Sequence, residues 1–387
     1  MELCFYKNNR IVQINSILLG MAFIMNFIAG TVNDYVAINN VFPLGMLILF
    51  LISFLANLLK KGISLIVLKK MLVLVVLFGL QFLFTFVTCE YEMSLYYLQC
   101  FLLVGISGLY LSQNDIDVSI VRHTVLILTL ACCTHFITIL TKEYSVYTAG
   151  DQMGDAYSVL VILFVSLWTI VDSKDELKWK IIALFESIIC LVILTKVMTR
   201  GAWLCIFAYV SFLIWKKLTN KKFAIFFTIL FPLLSILILT YVLPILVNTE
   251  WFSNMFLLKA GQTLNGRESL LGNIFSSRGI IPVLFGSGIG GYFENYGIYP
   301  HNVIAQIYYD QGLLALLVIG IIVFKSIKHL ISSALKGNVY DHLIILAFCA
   351  GIIKLMLSSY FWIEQLFWIF MGLIIYRNKY NERKDVV

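Results

Sequence analysis

The chain has 387 residues, of which 61% are hydrophobic and 13% charged, and its mean hydropathy is +0.93. This composition excludes a soluble globular protein, because a surface that faces water needs far more charge. The net charge of +7 would suggest a nucleic-acid partner in a soluble protein. Here the basic residues lie mainly in short connectors between apolar runs, so we expect no binding of nucleic acid.

Apolar runs long enough to cross the ~30 Å hydrocarbon layer of a bilayer as helices recur along the chain. They are continuous rather than alternating, which is typical of membrane helices. We therefore expect one all-α integral membrane domain over residues 1–387, with about twelve transmembrane helices and an uncleaved first span. The predicted spans are 11–30, 41–59, 71–88, 94–112, 119–140, 156–171, 181–198, 202–215, 223–247, 303–324, 342–359 and 362–376.

The basic residues predict the orientation of these spans. With the amino terminus in the cytoplasm, 21 of the 28 lysines and arginines fall in inner connectors and tails, as the positive-inside rule requires. Both termini are then cytoplasmic. The longest polar stretch, residues 248–300 between the ninth and tenth spans, becomes a periplasmic or extracellular loop, and we expect it to carry part of the active site.

Seven cations fall outside this pattern. Lys196 and Lys354 lie within or near the ends of spans, where a charge costs roughly 2.5–3.5 kcal/mol. Lys196 and Arg200 are four residues apart and share one face of a continuing helix, which suits an anionic lipid head group such as a pyrophosphate. The alternatives are snorkelling to the interface and pairing with carboxylates such as Glu364 or Asp310. The seven are Lys142, Lys196, Arg200, Lys259, Arg267, Arg278 and Lys354.

The outer loop contains a glycine-rich segment, residues 285–291, with the sequence FGSGIGG. It lacks the preceding strand and the lysine of a phosphate-binding loop, so we interpret its glycines as letting the backbone re-enter or approach a ligand closely. Aromatic residues follow it, and they predict either stacking on sugar rings or docking at the membrane interface. These residues are Tyr292, Phe293, Tyr296 and Tyr299.

Pro300-His301-Asn302 marks the point where the loop turns into a helix. Proline suits a first helical turn, whose free N–H groups favour an anion, so His301 is either a functional or a structural histidine. Glu186 and Asp310 lie inside predicted spans. They either relay protons, as in a transporter, or form hydrogen bonds between helices, and we favour the second interpretation. The scattered cysteines show neither a disulfide framework nor zinc-site spacing.

Taken in order, these elements resemble the O-antigen polymerase and O-antigen ligase superfamily of bacterial envelopes. Thr199 stands where that family usually has serine, and the hydroxyl is kept. The resemblance covers about residues 195–320, whereas the first half of the chain matches only in its pattern of spans. Its motifs are Thr199-Arg200-Gly201-Ala202, Gly266-Arg267, residues 284–290, Pro300-His301-Asn302 and Gly312-Leu313.

The resemblance implies a membrane-embedded glycosyltransferase that needs no metal or cofactor. It would act on undecaprenyl-pyrophosphate-linked glycans at the outer face of the bacterial cytoplasmic (inner) membrane. Arg200 and Arg267 would hold the pyrophosphate through bidentate bonds, and His301 would act as a base or orient the acceptor. Further substrate contacts are expected from position at Arg278, Lys196, Asn302 and Tyr299.

The shared motifs leave the reaction open between polymerase and ligase. The modest length and short termini favour a polymerase of O-antigen or capsule repeat units, because a ligase must also accommodate a lipid A–core acceptor. The expected partners are the carrier-linked glycan, membrane lipids, a chain-length regulator and a flippase. A flippase or other transporter is the alternative from a different class, but the chain shows no two similar halves.

Overall fold

The computed structural model of the protein describes residues 10–36, 40–60, 65–89, 91–143, 149–172, 174–197, 199–217, 274, 279–297, 302–334, 339–357 and 360–384. Within these ranges every regular element is a helix and no strand occurs. The predicted all-α class is therefore confirmed.

Two of the helices contain π-helical turns: Phe101–Gly105 joins α5 to α6, and Phe348–Ile353 extends α15. The helices are α1 Arg10–Phe23, α2 Met25–Tyr35, α3 Val41–Lys60, α4 Leu65–Thr88, α5 Glu92–Cys100, α6 Ile106–Leu111, α7 Val118–Ala131, α8 Cys133–Thr141, α9 Ala149–Val171, α10 Leu177–Val197, α11 Arg200–Lys217, α12 Ile280–Phe285, α13 Gly291–Tyr296, α14 Val303–Ala334, α15 Val339–Ala347 and α16 Gln365–Lys384.

The helices indicate a multi-pass membrane protein. In the described part of the chain, 5 helices are long and apolar enough to cross a membrane, or up to 7 if each bent pair forms one span. Three shorter apolar helices lie at Gly201–Ile214, Tyr340–Ile353 and Gln365–Ile375. The predicted ninth span, 223–247, lies outside the described residues, and the full number of twelve stays a prediction.

Two of the predicted spans are sharply bent. The first consists of α1 and α2, which meet at 66°, and the fifth consists of α7 and α8, which meet at 57°. Just past the first bend, the Asn26 side chain donates to Gln365 Oε1 at 2.9 Å, and so connects the start of the chain to its last described helix. The bend thus turns a polar side chain towards another helix rather than towards lipid.

The core is rich in aromatic rings, and glycine lets two helices approach there. Trp362 and Trp368 are fully buried, and Phe78 lies 5.5 and 5.4 Å from them, ring centroid to ring centroid. A Cβ on Gly105 or on Gly108 would come within 3.1 Å or 2.9 Å of Trp368. Small residues of this kind allow close backbone approach between membrane helices.

Buried polar groups pair between helices. Ser166 in α9 donates to the carboxylate of Glu186 in α10 at 3.2 Å, and both side chains are fully buried. This is the helix-to-helix hydrogen bond that the sequence favoured for Glu186. Just beyond the end of α9, Asp172 and Asp175 form ion pairs with the buried Arg122 of α7, with nitrogen–oxygen distances of 3.0 and 2.7 Å. The predicted inner end of α7 thus contacts the predicted inner connector that follows α9.

Candidate functional site

The structure describes only part of the predicted site. Lys196 and Asn302 are described completely, and Arg200 is described as the first residue of α11 but without its side chain. The other predicted site residues lie outside the described residues, so their roles stay predictions. They are Arg267, Arg278, Tyr299 and His301.

The glycine segment, residues 285–291, binds to a break in helix α14. Gly312 has φ 81° and ψ 177°, which interrupts the helix. A continuous helix would use the carbonyl oxygens of Tyr309 and Asp310 for the N–H groups four residues later. Here the N–H of Ser287 donates to Tyr309 O at 2.8 Å and that of Gly288 to Asp310 O at 3.1 Å. The segment therefore replaces hydrogen bonds that the break removes.

Two glycines make this contact sterically possible. Gly286 has φ 88°, and a Cβ there would lie 2.2 Å from the carbonyl oxygen of Asp310. A Cβ on Gly312 would lie 2.3 Å from the carbonyl oxygen of Leu284. Positive φ and backbone approach at this distance both require glycine. The glycines permit a close approach to the backbone of α14, and the predicted approach to a ligand stays a prediction.

The carboxylate of Asp310 adds a second set of bonds. It accepts the N–H of Gly290 at 3.4 Å and that of Tyr292 at 3.0 Å, where the short helix α13 begins. Only 2% of Asp310 is exposed. The sequence offered Asp310 as a proton relay, a helix-to-helix partner or a partner for a lysine, and the structure gives it backbone N–H groups of the loop as partners.

The opposite side of the glycine segment contacts the end of α4, the start of α5 and the connector between them. The N–H of Ile289 donates to Thr85 Oγ1 at 2.9 Å, and Ser94 Oγ donates to the Ile289 carbonyl at 2.6 Å. The Tyr91 hydroxyl donates to Ser287 O at 3.1 Å. Burial, followed by the hydrogen bond with Cys89, raises the pKa of Tyr91 to about 12, so it remains a donor at neutral pH. The glycine segment thus lies between α14 on one side and the facing ends of α4 and α5 on the other.

The tyrosines after the glycine segment pack mainly on one another. The ring of Tyr292 lies 4.7 Å from that of Tyr296 and 5.1 Å from that of Tyr309, between centroids. Tyr292 is 1% exposed, and burial raises its pKa to about 12. Its ring is thus a packing element, whereas Tyr296 and Phe293 are half-buried and keep open surface.

Helix α11 begins beside a buried ion pair. A Cβ on Gly201 would lie 2.1 Å from the Tyr157 hydroxyl, and the ammonium group of Lys354 lies 5.1 Å from the centroid of the Tyr157 ring. Lys354 forms an ion pair with Glu364, whose side chain is 2% exposed. The alternative that paired Lys354 with Glu364 is therefore confirmed. Arg200, next to Gly201, begins its helix close to this pair.

Lys196 binds the end of another helix. Its ammonium group donates to the carbonyl oxygens of Ile139 at 3.4 Å, of Leu140, and of Lys142 at 2.8 Å. These carbonyls close α8, where a cation is favourable because the last carbonyls lack helical partners. Lys142 pairs in turn with Asp155 at 3.2 Å. Binding of pyrophosphate by Lys196 stays a prediction, and in this structure its ammonium group binds the carbonyl oxygens at the end of α8.

Asn302 is the N-cap of helix α14. Its Oδ1 accepts the N–H groups of Ile304 at 3.0 Å and Ala305 at 3.1 Å, which would otherwise lack partners in the first turn. The predicted contact of Asn302 with substrate stays a prediction. The cap fixes the backbone directly after His301.

Sequence reasoning missed the pair formed by His135 in α8 and Asp34 in α2. His135 Nδ1 lies 2.7 Å from Asp34 Oδ2, and the ring rests against Gly30, where a Cβ would come within 2.4 Å of Nε2. The partners are 101 residues apart and belong to no motif, so no sequence signal joined them. No group of three or more His, Cys, Asp or Glu side chains that could hold a metal occurs among the described residues.

Contacts connect the Thr199-Arg200-Gly201-Ala202 motif with the glycine segment. A Cβ on Gly201 would lie 3.4 Å from Leu357, at the start of the connector between α15 and α16. In that same connector the Tyr360 hydroxyl lies 3.1 Å from the hydroxyl of Tyr96. Tyr96 belongs to α5, whose Ser94 binds the glycine segment. Both motifs therefore belong to one end of the helices.

Comparison with known proteins gives no neighbour: no protein-family model, no curated protein and no solved structure matches the chain.

Proposed function

We propose that this protein is a polymerase of undecaprenyl-pyrophosphate-linked oligosaccharide repeat units, of the O-antigen or capsule type. It acts as a metal-independent glycosyltransferase at the outer face of the bacterial cytoplasmic membrane. In each cycle the growing chain leaves its carrier and joins the non-reducing end of a newly delivered carrier-linked repeat unit. The proposal includes twelve spans, with both termini in the cytoplasm.

One observation carries the proposal. The two described motifs of the resemblance, Arg200-Gly201 and the glycine segment, are far apart in the chain and yet belong to one end of the helices through the contacts of Leu357 and Tyr360. The glycine segment also contacts α14, through the carbonyl oxygens of Tyr309 and Asp310. Residues of one active site must meet in this way, whereas unrelated outer turns need not.

The chemistry suits the residues. As the bond between the glycan and its carrier breaks, negative charge grows on the pyrophosphate, and the guanidinium groups of Arg200 and Arg267 would hold it. Arg200 also begins an 18-residue helix, whose N-terminal N–H groups favour an anion. Removing one such donor typically lowers the rate by about 10²–10³. His301 would take the proton of the acceptor hydroxyl or orient that hydroxyl.

The test replaces Arg200 and Arg267 by alanine in the native organism. We expect each variant to insert at normal levels and to lose long-chain surface glycan, leaving a single-repeat product on a gel. Lys178→Ala serves as the control, because that lysine is 64% exposed and lies in a predicted inner connector. Normal chain-length ladders from both arginine variants would contradict the proposal.

Deleting the gene separates the three candidate functions. Loss of a polymerase leaves single repeats on the cell surface, and loss of a ligase leaves long chains on the carrier. Loss of a flippase leaves repeat units inside the cell. We expect the first result, and either of the others would replace the proposed function by that alternative.

A further inference from the structure

We infer that Lys354 is a further ligand for the diphosphate of the carrier lipid, and that Glu364 is the counter-ion from which this diphosphate displaces it. The inference rests on the proposed function, because the carrier-linked glycan is the substrate that brings a diphosphate to the predicted outer face. It deepens that function by adding a cation that belongs to none of the motifs of the resemblance.

The ion pair of Lys354 and Glu364 lies beside the start of helix α11. The carbonyl of Lys354 accepts the N–H of Leu357 at 2.9 Å, so both residues share one turn. A Cβ on Gly201, the second residue of α11, would lie 3.4 Å from Leu357 and would overlap the hydroxyl of Tyr157. The Lys354 ammonium lies 5.1 Å from the centroid of that same Tyr157 ring. Two contacts therefore join the turn of Lys354 to the start of α11.

The ammonium group is the more accessible partner of the pair. The side chain of Lys354 is 12% exposed, whereas that of Glu364 is 2% exposed. Lys354 also directly follows a π-helical turn, and such turns frequently occur at functional sites. The ammonium can therefore meet a ligand while the carboxylate stays covered.

Each partner keeps a second interaction when the pair separates. Glu364 directly precedes helix α16, and its Oε1 accepts the N–H of Leu366 at 3.4 Å in the first turn. A carboxylate is favourable there, because the first N–H groups of a helix lack helical partners. The Lys354 ammonium retains the face of the Tyr157 ring, which attracts a cation. Both charges therefore stay stabilised when the ammonium turns to a diphosphate.

The chemistry favours this exchange. The ammonium of lysine is a compact point charge that binds phosphate through charge-assisted hydrogen bonds. A diphosphate carries more negative charge than one carboxylate, so it competes well for Lys354. A buried ion pair is weak evidence for a stabilising role, and ionisable side chains in membrane helices are rare and commonly functional.

Three variants separate this role from that of a purely structural ion pair. Lys354→Met removes the cation, and Glu364→Gln removes its competitor. The double variant Lys354→Met/Glu364→Gln removes both charges, so neither partner is left as a single buried charge. The control is Lys142→Met, which breaks the ion pair of Lys142 with Asp155, 3.2 Å long, on the same predicted side of the membrane.

The experiment measures binding of undecaprenyl diphosphate to the purified full chain in phosphatidylcholine nanodiscs. We expect Lys354→Met to raise Kd by about tenfold or more, because a hydrogen bond between charged groups is lost. Glu364→Gln should lower Kd by about threefold, since a negative group that faces the diphosphate is removed. The double variant should bind as weakly as Lys354→Met, and Lys142→Met should bind like the wild type.

Two lipids with a single phosphate group, undecaprenyl monophosphate and phosphatidylglycerol, test the choice of ligand. Both should compete less well than undecaprenyl diphosphate. Equal competition by all three lipids would assign the site to lipid phosphates in general and overturn the inference.

The remaining outcomes distinguish this site from the proposed function. The inference is overturned if the wild type does not bind undecaprenyl diphosphate, if Glu364→Gln binds it more weakly, or if the double variant keeps the wild-type Kd. If binding depends on Lys354 but the wild type forms no glycosidic bond between carrier-linked repeat units, the polymerase function fails and the site remains. If the wild type does form that bond and the double variant keeps the wild-type Kd, the site alone fails.

Discussion

Gly286 and Gly312 meet backbone to backbone. A Cβ on Gly312 would lie 2.5 Å from the amide nitrogen of Gly286, and one on Gly286 would lie 2.5 Å from the amide nitrogen of Gln311. The glycine segment and helix α14 therefore share one joint, in which neither glycine tolerates a side chain.

Replacing Gly312 by alanine should loosen this joint. The backbone there is in a region that only glycine adopts easily, so the strain alone costs about 1–3 kcal/mol, and the steric clash adds to it. Gly320→Ala in the same helix is the matched control, because a Cβ there meets nothing within 4 Å and should stabilise the helix by about 0.5–1 kcal/mol. We expect the midpoint of thermal unfolding in detergent, measured by tryptophan fluorescence, to fall for Gly312→Ala and to rise for Gly320→Ala. Equal midpoints for the two variants would contradict the close contact between Gly286 and Gly312.

A cysteine at Gly288 should form a disulfide with the native Cys89. A Cβ on Gly288 would lie 3.1 Å from Cys89 Sγ, close enough for a bridge. Because Gly288 has φ 97°, the substitution costs about 1–2 kcal/mol. Oxidation also removes the bond from the Cys89 thiol to Ser287 O. After mild oxidation and proteolysis between residues 91 and 287, the two fragments should stay joined on a non-reducing gel. Adding Cys89→Ser should abolish the link. If the fragments of the Gly288→Cys variant separate although Cys89 is present, the contact between residues 288 and 89 is contradicted.

Arg122→Ala should destabilise the protein at the other end of the helices. Arg122 binds Asp172 and Asp175, and its guanidinium carbon lies 4.6 Å from the centroid of the Trp168 ring. Removing one partner of a buried ionic cluster leaves uncompensated charge and costs about 3–5 kcal/mol. Arg122→Lys should lose less, since one ammonium group can still reach one carboxylate. An unchanged unfolding temperature for Arg122→Ala would show that this cluster contributes nothing.

Lys196→Met should weaken the end of helix α8. The ammonium group binds three carbonyl oxygens there, and a cation at a helix end contributes about 0.3–2 kcal/mol. We expect a lower unfolding temperature in detergent. The glycosyl-transfer activity per folded molecule then tests whether Lys196 also contacts pyrophosphate. A loss above tenfold supports the predicted pyrophosphate contact, and a smaller loss assigns Lys196 to the helix alone.

Cysteine labelling should distinguish the two ends of the helices. Ile280 is 78% exposed beside the glycine segment, and Lys178 is 64% exposed in a predicted inner connector. A membrane-impermeant maleimide added to intact cells should react with Ile280→Cys and spare Lys178→Cys until the cells are broken. The reverse pattern would overturn the predicted orientation.

The sequence predicted the helices well, because a continuous apolar run long enough to cross a bilayer needs a helix to satisfy its backbone. It did not predict the bends beside Ile24 and Cys132. Sharp bends usually occur at proline or glycine, and neither residue is present at these two places. In the structure, these bends direct polar side chains such as Asn26 towards other helices.

The candidate site was predictable only where a residue has an intrinsic conformational property. The glycines of residues 285–291 indicated close backbone approach, and Pro300-His301-Asn302 indicated the start of a helix, which begins at Val303. The partners of these residues were not predictable. The acceptor for Gly290 is 20 residues away, and that for Ile289 is 204 residues away. Pairings over such distances depend on how whole helices pack, which spacing in the sequence does not encode.

The contact of Thr85 and Ser94 with Ile289 also has a consequence for biosynthesis. These partners are separated by 204 and 195 residues, which a ribosome adds in about 10–40 s at roughly 5–20 residues per second. During this interval Thr85 can satisfy its hydroxyl by donating to the Gln81 carbonyl of its own helix, as it does in the finished protein. The helices synthesised first are therefore in the bilayer before the glycine segment exists, and their contacts with Ile289 form only when the later part of the chain has been made.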